Sequence, residues 1–228
     1  MINTLFFGVW PYVALAIMIV GHIWRYKTDQ YGWTTRTSQL SEKDILLWAS
    51  PVFHIGVLMV VGGHILGLCI PKSLTTRLGV PEGVYHTLAA AMGLVAGLVL
   101  LVGLSGLLAR RFFLKSRARL VTRPGDVVMY VLLAVQMVLG LWQTLGYTAM
   151  ALKPGFDYRE SVSVWFRSIF TLNPDVALMG SAPLVFQLHA VAAFAFLAVW
   201  PFSRLVHLWS APVAYLARPP IVYRNMGA

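Results

Sequence analysis

Five stretches of this chain are each long and apolar enough to cross a bilayer, and that dictates most of its fold. A hydrocarbon core about 30 Å thick requires about 20 apolar residues in helical form. The stretches cover about 5–24, 45–70, 84–109, 126–149 and 183–207 of the 228 residues, with a tail at 208–228. In lipid every backbone N–H and C=O must be satisfied within the segment, so each stretch is expected to be a helix. The expectation is an all-α integral membrane protein, a single five-helix domain over 1–228 with no soluble domain left over. The segments between spans differ in length and composition, so no internal repeat is visible. The first stretch has no basic region before it and no small-residue cleavage site after it, and is expected to be retained as a span rather than removed as a signal.

Composition fits this frame. The chain is 58% hydrophobic and only 11% charged, whereas a soluble domain carries about a quarter charged residues. Its 18 Lys and Arg against 8 Asp and Glu give a net charge of +10. Such a surplus can mark a nucleic-acid binder, but in a chain this apolar topology accounts for it, and no nucleic-acid partner is expected. One set of segments holds Arg25, Lys27, Arg36, Lys43, Arg110, Arg111, Lys115, Arg117, Arg119, Arg123, Arg204, Arg218 and Arg224; the other holds Lys72, Arg77, Lys153, Arg159 and Arg167. The basic-rich side is expected to be cytoplasmic. This places the N-terminus outside and the C-terminus inside, in a multi-pass protein of the cell (inner) membrane. The single Cys69 excludes an internal disulfide and a cysteine-held zinc or iron–sulfur site.

In the outer segment from Lys153 to Ala182, Val162, Trp165, Phe166, Ile169 and Phe170 recur at helical spacing. They suggest a short helix lying at the outer interface, and an irregular loop is an equal alternative. Trp10, Tyr12, Trp24, Tyr26, Trp33, Trp48, Trp200 and Trp209 fall near span ends and read as interface anchors.

The six histidines carry the chemistry. An ionisable ring inside a membrane is costly and needs a partner. His54 and His64 lie in span two, and His189 and His207 bracket span five. The first two stand about 15 Å apart along a helix axis and the second two about 27 Å. Antiparallel packing pairs His64 with His189 on the outer side and His54 with His207 on the inner side. Each pair can give two imidazole nitrogens to one iron, with a flat macrocycle between the helices. The unequal spacings require a tilt or a bend, and the two irons would stand on the order of 20 Å apart. Gly56, Gly62, Gly63 and Gly67 around the span-two histidines leave room for a planar group, or equally for another helix. Two layers of histidines cannot gather around one zinc ion. Two b-type haems held in this way leave no open iron position, which is the arrangement of an electron carrier. His22 has no matching partner and reads as an interfacial residue. Gln136 and Gln143 lie on one face of span four, where contact with haem or quinol is one reading and a hydrogen bond inside the bundle is the expected one.

Specific runs resemble a known family. Phe53-His54-Ile55-Gly56 followed by Gly63-His64, Arg110-Arg111-Phe112, Phe186-Gln187-Leu188-His189 and the closing run from Pro201 to Ser210 resemble the gamma subunit of respiratory nitrate reductase. Tyr12, Trp24-Arg25-Tyr26 and Gln30-Tyr31 match as well, and the resemblance extends over nearly the whole chain. It implies that a membrane quinol is oxidised near the outer haem. Electrons then pass through the outer and inner haems to an iron–sulfur beta subunit and on to a molybdenum-cofactor alpha subunit, where nitrate becomes nitrite. It also implies that His64 and His189 hold the outer haem and His54 and His207 the inner.

The family's best-known member has a quinol-binding lysine at the start of span three, where this chain has Tyr85 followed by His86. An imidazole can accept a proton from a quinol hydroxyl, and a tyrosine can donate a hydrogen bond to a quinone oxygen. Tyr85, His86 and Gly63 are therefore the expected quinol site, although His86 equally suits an interfacial polar residue. Arg204 and Arg111, with Arg110, are candidates for pairing with the inner haem propionates, and the last two equally suit positive-inside residues. Two alternatives stand beside this reading. One is a related haem b subunit serving a sulfur-metabolism or heterodisulfide-type reductase. The other is a non-redox transporter or scaffold, which would be expected to show internal repeats and interrupted helices.

Overall fold

A computed structural model of the protein describes residues 1–33, 44–114, 122–150, 152–210 and 217–219, and these are helical with no strand among them. Arg36, Lys43, Lys115, Arg117, Arg119 and Arg224, and most of the tail at 208–228, lie outside the described residues. The helices in chain order are α1 (Trp10–Thr28), α2 (Asp44–His64), α3 (Lys72–Arg77), α4 (Glu82–Leu108), α5 (Pro124–Trp142), α6 (Val162–Phe170), α7 (Val176–Ser181) and α8 (Leu184–Val199). Wide π-type turns extend several of them. Five continuous stretches are then long and apolar enough to cross a membrane: Thr4–Thr28, Asp44–Cys69, Glu82–Phe113, Pro124–Ala149 and Leu184–Phe202. Their outer faces carry apolar side chains such as Val20, Leu58 and Val131, more than half exposed, which only a lipid solvent accommodates without cost.

The first four spans follow the sequence pattern. The fifth does not run unbroken to His207. Regular helix ends at Val199, a tight turn covers Trp200–Phe202, Ser203 is extended (φ −112°, ψ 178°), and a second tight turn covers Arg204–Leu208. Pro201 is the local cause, because it brings no N–H and its ring conflicts with the carbonyl four residues back. Ser203 then starts the next turn by accepting a hydrogen bond from the Leu205 N–H (3.2 Å).

Small residues decide which helices touch. A Cβ on Gly56 would lie 2.6 Å from the Leu100 nitrogen, and one on Gly103 would collide with the Phe53 backbone. One on Gly106 would lie 2.8 Å from the Ala49 Cβ. Spans two and three therefore pack backbone on backbone, as small residues allow in membranes. α8 packs on α1 and α5. α2 and α8, which carry the paired histidines, share no such close packing.

The predicted short helix is α6, and its apolar face closes one end of the bundle. Val162, Trp165 and Ile169 are buried with Phe7, Met179, Phe186 and Phe194. Its polar groups also reach inward. The Trp165 indole donates to the Phe7 carbonyl (2.9 Å), Ser163 donates to Gly67 (2.8 Å) and Arg167 donates to Leu68 (2.8 Å). Two of the supposed interface anchors do structural work as well, Trp10 donating to the Val191 carbonyl (3.1 Å) and Tyr12 to that of Ile169 (2.9 Å).

Candidate functional site

Four histidines from α2 and the α8 segment meet in two pairs. At the α6 end the His64 and His189 ring centres are 6.0 Å apart and nearly parallel, at 17°. At the opposite end those of His54 and His207 are 6.1 Å apart and crossed, at 79°. The helical spacing alone does not close this arrangement. It closes because the break at Pro201–Ser203 takes His207 off the α8 helix. The four rings thus bridge a cleft between two helices that do not otherwise pack closely.

Most of these rings are oriented by their own backbone. His54 Nδ1 is 2.7 Å from the Ser50 carbonyl, His64 Nδ1 is 2.8 Å from that of Val60, and His207 Nδ1 is 2.6 Å from that of Arg204. A carbonyl only accepts, so Nδ1 carries the proton and Nε2 keeps its lone pair. This is the state in which an imidazole binds a metal. His189 Nδ1 is buried with no hydrogen-bond partner, an unusual state for a histidine kept for structure alone. Gln136 donates to the His189 carbonyl (3.2 Å) and Gln143 to that of Val185 (3.3 Å), as their shared face led one to expect.

The residues present fit two bis-imidazole haems. With metal–nitrogen bonds of about 2 Å on either side of one iron, two imidazole centres stand about 6 Å apart, the separation of both pairs. A Cβ added at Gly62 or Gly63 would have no neighbour within 4 Å, so α2 presents open space beside His64. The dispersed pairs do not suit one small ion.

The end with His54 and His207 is rich in buried charge. Arg110 and Arg111 are 3% and 5% exposed, unlike ordinary loop cations. Arg111 donates to Thr122 (2.8 Å) and stands 5.4 Å over the Tyr130 ring. Arg204 directs Nε and one amino group at the Asp126 carboxylate (2.8 and 2.6 Å). His22 belongs to no facing histidine pair, and its ring is hydrogen-bonded. Its Nε2 accepts from the Trp209 indole (3.0 Å) and its Nδ1 sits 2.6 Å from the Met18 carbonyl.

At the α6 end the expected quinol-site residues are spread over one rim. Tyr85 shares a hydrogen bond with the Tyr158 hydroxyl (3.3 Å), and the buried Arg159 guanidinium lies 3.6 Å over its ring. His86 Nε2 faces Glu82 at 3.5 Å. Gly63 is not brought against either of them. Sequence reading missed Tyr158, Arg159 and an ion cluster in which Lys72 bonds Glu82 (2.5 Å), Glu160 (2.6 Å) and Asp157 (3.0 Å). The available signal was the balanced charge of the segment from Lys153 to Ala182 and the four-residue spacing of Glu82 and His86. Hydrogen bonds donated to Glu160 and then Glu82 hold the Lys72 ammonium well above the ordinary lysine range, against the effect of burial. Burial, and then the bond to Tyr85, raises the Tyr158 phenol far above its ordinary value.

Fold and site together define a helical membrane protein with two histidine pairs at successive depths, each formed between its second membrane segment and the fifth with the turns that follow it. Comparison with known proteins makes the assignment specific: a family model for the nitrate reductase gamma subunit matches residues 3–226, and the chain belongs to that family. It is 43% identical to the nitrate reductase gamma chain of Bacillus subtilis over 99% of both chains. It is 33% identical to the respiratory nitrate reductase 1 gamma chain of Escherichia coli over 95% of both. It is also 46% identical over 99% of its own length to the nitrate reductase-like protein NarX of Mycobacterium tuberculosis, but spans only 34% of that longer protein.

Proposed function

We propose that this protein is the membrane cytochrome b subunit of a respiratory nitrate reductase. On this reading it oxidises quinol near its outer face and delivers electrons to a cytoplasmic iron–sulfur beta subunit, which feeds a molybdenum-cofactor alpha subunit reducing nitrate. Family membership supports the word nitrate. The observation that carries the redox role is the two imidazole pairs, each with its ring centres about 6 Å apart as two ligands of one iron require. A bis-histidine haem passes one electron at a time and binds no substrate at iron.

In this proposal His64 and His189 hold the outer haem and His54 and His207 the inner. Their Nδ1 bonds to backbone carbonyls aim Nε2 and make it a stronger donor at His54, His64 and His207. Arg111 and Arg204 supply positive charge for the inner propionates, with Asp126 balancing part of it. The α6 end is outside, the C-terminal end is cytoplasmic, and the host is the inner membrane. At the outer rim His86 takes a proton from a quinol hydroxyl, and Glu82 beside it stabilises the imidazolium that results. Tyr85 hydrogen-bonds a quinone oxygen, and Gly63 leaves the ring room.

Optical spectra of the membrane complex, oxidised and then reduced by a quinol analogue, test this reading. Two b-type haems are expected, one lost in His64→Ala and the other in His207→Ala. Quinol should still reduce the remaining haem in His207→Ala but not in His64→Ala. A wild-type complex with no haem signal would overturn the proposal.

A further inference from the structure

The break in span five frees backbone groups that a continuous helix would have satisfied, and span one supplies the partner. Arg25 donates to the Pro201 carbonyl (2.6 Å), the Ser203 carbonyl (2.7 Å) and the Gly32 carbonyl (3.0 Å). Its side chain is only 12% exposed, with Asp29 4.0 Å from Nε. Two glycines let the neighbouring spans close on the break. A Cβ on Gly21 would lie 2.9 Å from the Pro201 ring, and one on Gly125 would lie 2.9 Å from the Phe202 carbonyl. From span four, Asp126 is locked by the Arg123 N–H (3.0 Å) and holds Arg204 by two bonds. The Arg204 carbonyl is in turn the acceptor for His207 Nδ1 (2.6 Å).

We infer that Arg25 and Asp126 are positioning residues for the inner haem: Arg25 pins the break at Pro201–Ser203, and Asp126, through Arg204, fixes the carbonyl that orients His207. Neither residue touches the His54 or His207 ring in any contact described above. Their effect runs through where His207 stands and which way its Nε2 points. This rests on the proposal that His54 and His207 hold a haem. Removing an outer partner of a metal-bound histidine weakens metal retention about 10-fold or more.

The test uses the whole membrane complex carrying Arg25→Gln or Asp126→Asn, with Arg25→Lys as the conservative variant and His207→Ala and His64→Ala as references. The readouts are haem content, the low-spin electron paramagnetic resonance signal and the potential of each haem. In both variants the signal missing from His207→Ala should shift or fall about 10-fold, while the signal missing from His64→Ala keeps its wild-type intensity and potential. Arg25→Lys should recover part of the loss. Wild-type spectra and potentials in both variants would overturn the inference. So would joint loss of both haems, which marks general misfolding. If His207→Ala itself loses no haem, the ligand assignment fails, and this outcome is distinct from failure of the clamp.

Discussion

The two histidine pairs have nearly the same ring separation and are built in opposite ways. The His64–His189 pair stands on two regular helices, its rings nearly parallel, with glycine-lined space beside it. It draws its position from helix periodicity and from α8 packing on α1 and α5. The His54–His207 pair has crossed rings, and one member rides on a short turn beyond a broken helix. That turn is held by Arg25 and, through Trp209, by His22 from span one, and by Asp126 from span four. The first pair therefore rests on regular helices and their packing, whereas the second depends in addition on side-chain hydrogen bonds between residues more than 75 positions apart in the chain.

This contrast can be broken at several points. The largest effect is expected from His64→Ala and His207→Ala, each removing one haem outright, with only the first abolishing reduction by quinol. Next are two glycines, one at each pair. A Cβ on Gly140 would lie 3.5 Å from the His189 ring. Gly140→Leu should displace that ring, costing about 1–3 kcal/mol of stability through overpacking and moving the potential of the outer haem alone. Gly21→Leu presses on Pro201 instead and should move only the inner one. Redox titration of both variants separates the two, and matched shifts at both haems would show that the pairs are not independent.

Lys72→Met should be milder. The solvent-screened cluster it breaks stabilises the α6 end by no more than about 1 kcal/mol. The sign of its pH dependence follows from the raised lysine. Its contribution is fully present below the ordinary value of 10.5 and is lost as pH climbs through the higher folded value. Thermal melts of wild type and variant in detergent should therefore differ by a constant amount from neutral pH to about 10 and converge above that. The smallest effect belongs to Gln136→Leu, which removes one hydrogen bond within the bundle, worth about 0.6 kcal/mol, and should leave both haem spectra unchanged.

Much of this was legible in the sequence, for identifiable reasons. Lipid forces long apolar runs into helices, so four spans were placed to within a few residues, and α6 was visible from the spacing of Val162, Trp165 and Ile169. The neighbours His64–His189 and His54–His207 followed from depth along antiparallel axes. The bend that the unequal spacings demanded was anticipated, but not its location. A proline does not always break a helix, and Pro51 sits inside α2 without doing so. What separates Pro201 is Ser203 capping the next turn, with Arg25 and Gly21 receiving it from a span 176 positions away. Tyr158, Arg159 and the Lys72 cluster were hidden for the same reason, since side chains in a loop show no periodicity that reveals their partners. Arg204 was expected beside propionates. Its bond to Asp126 was invisible because the two residues belong to different spans.

The separation of α2 from α8 bears on how such a protein is made. Each helix has its own firm support, α2 on the glycine faces of α4 and α8 on α1 and α5. Assembly of the five spans can thus draw on helix contacts within the chain, and in each histidine pair the imidazoles face each other across the gap that remains. Biogenesis can accordingly run in two stages. If the pairs hold haems as proposed, the polypeptide could be inserted and assembled first and the haems loaded afterwards, so that their supply would limit maturation without stalling translation.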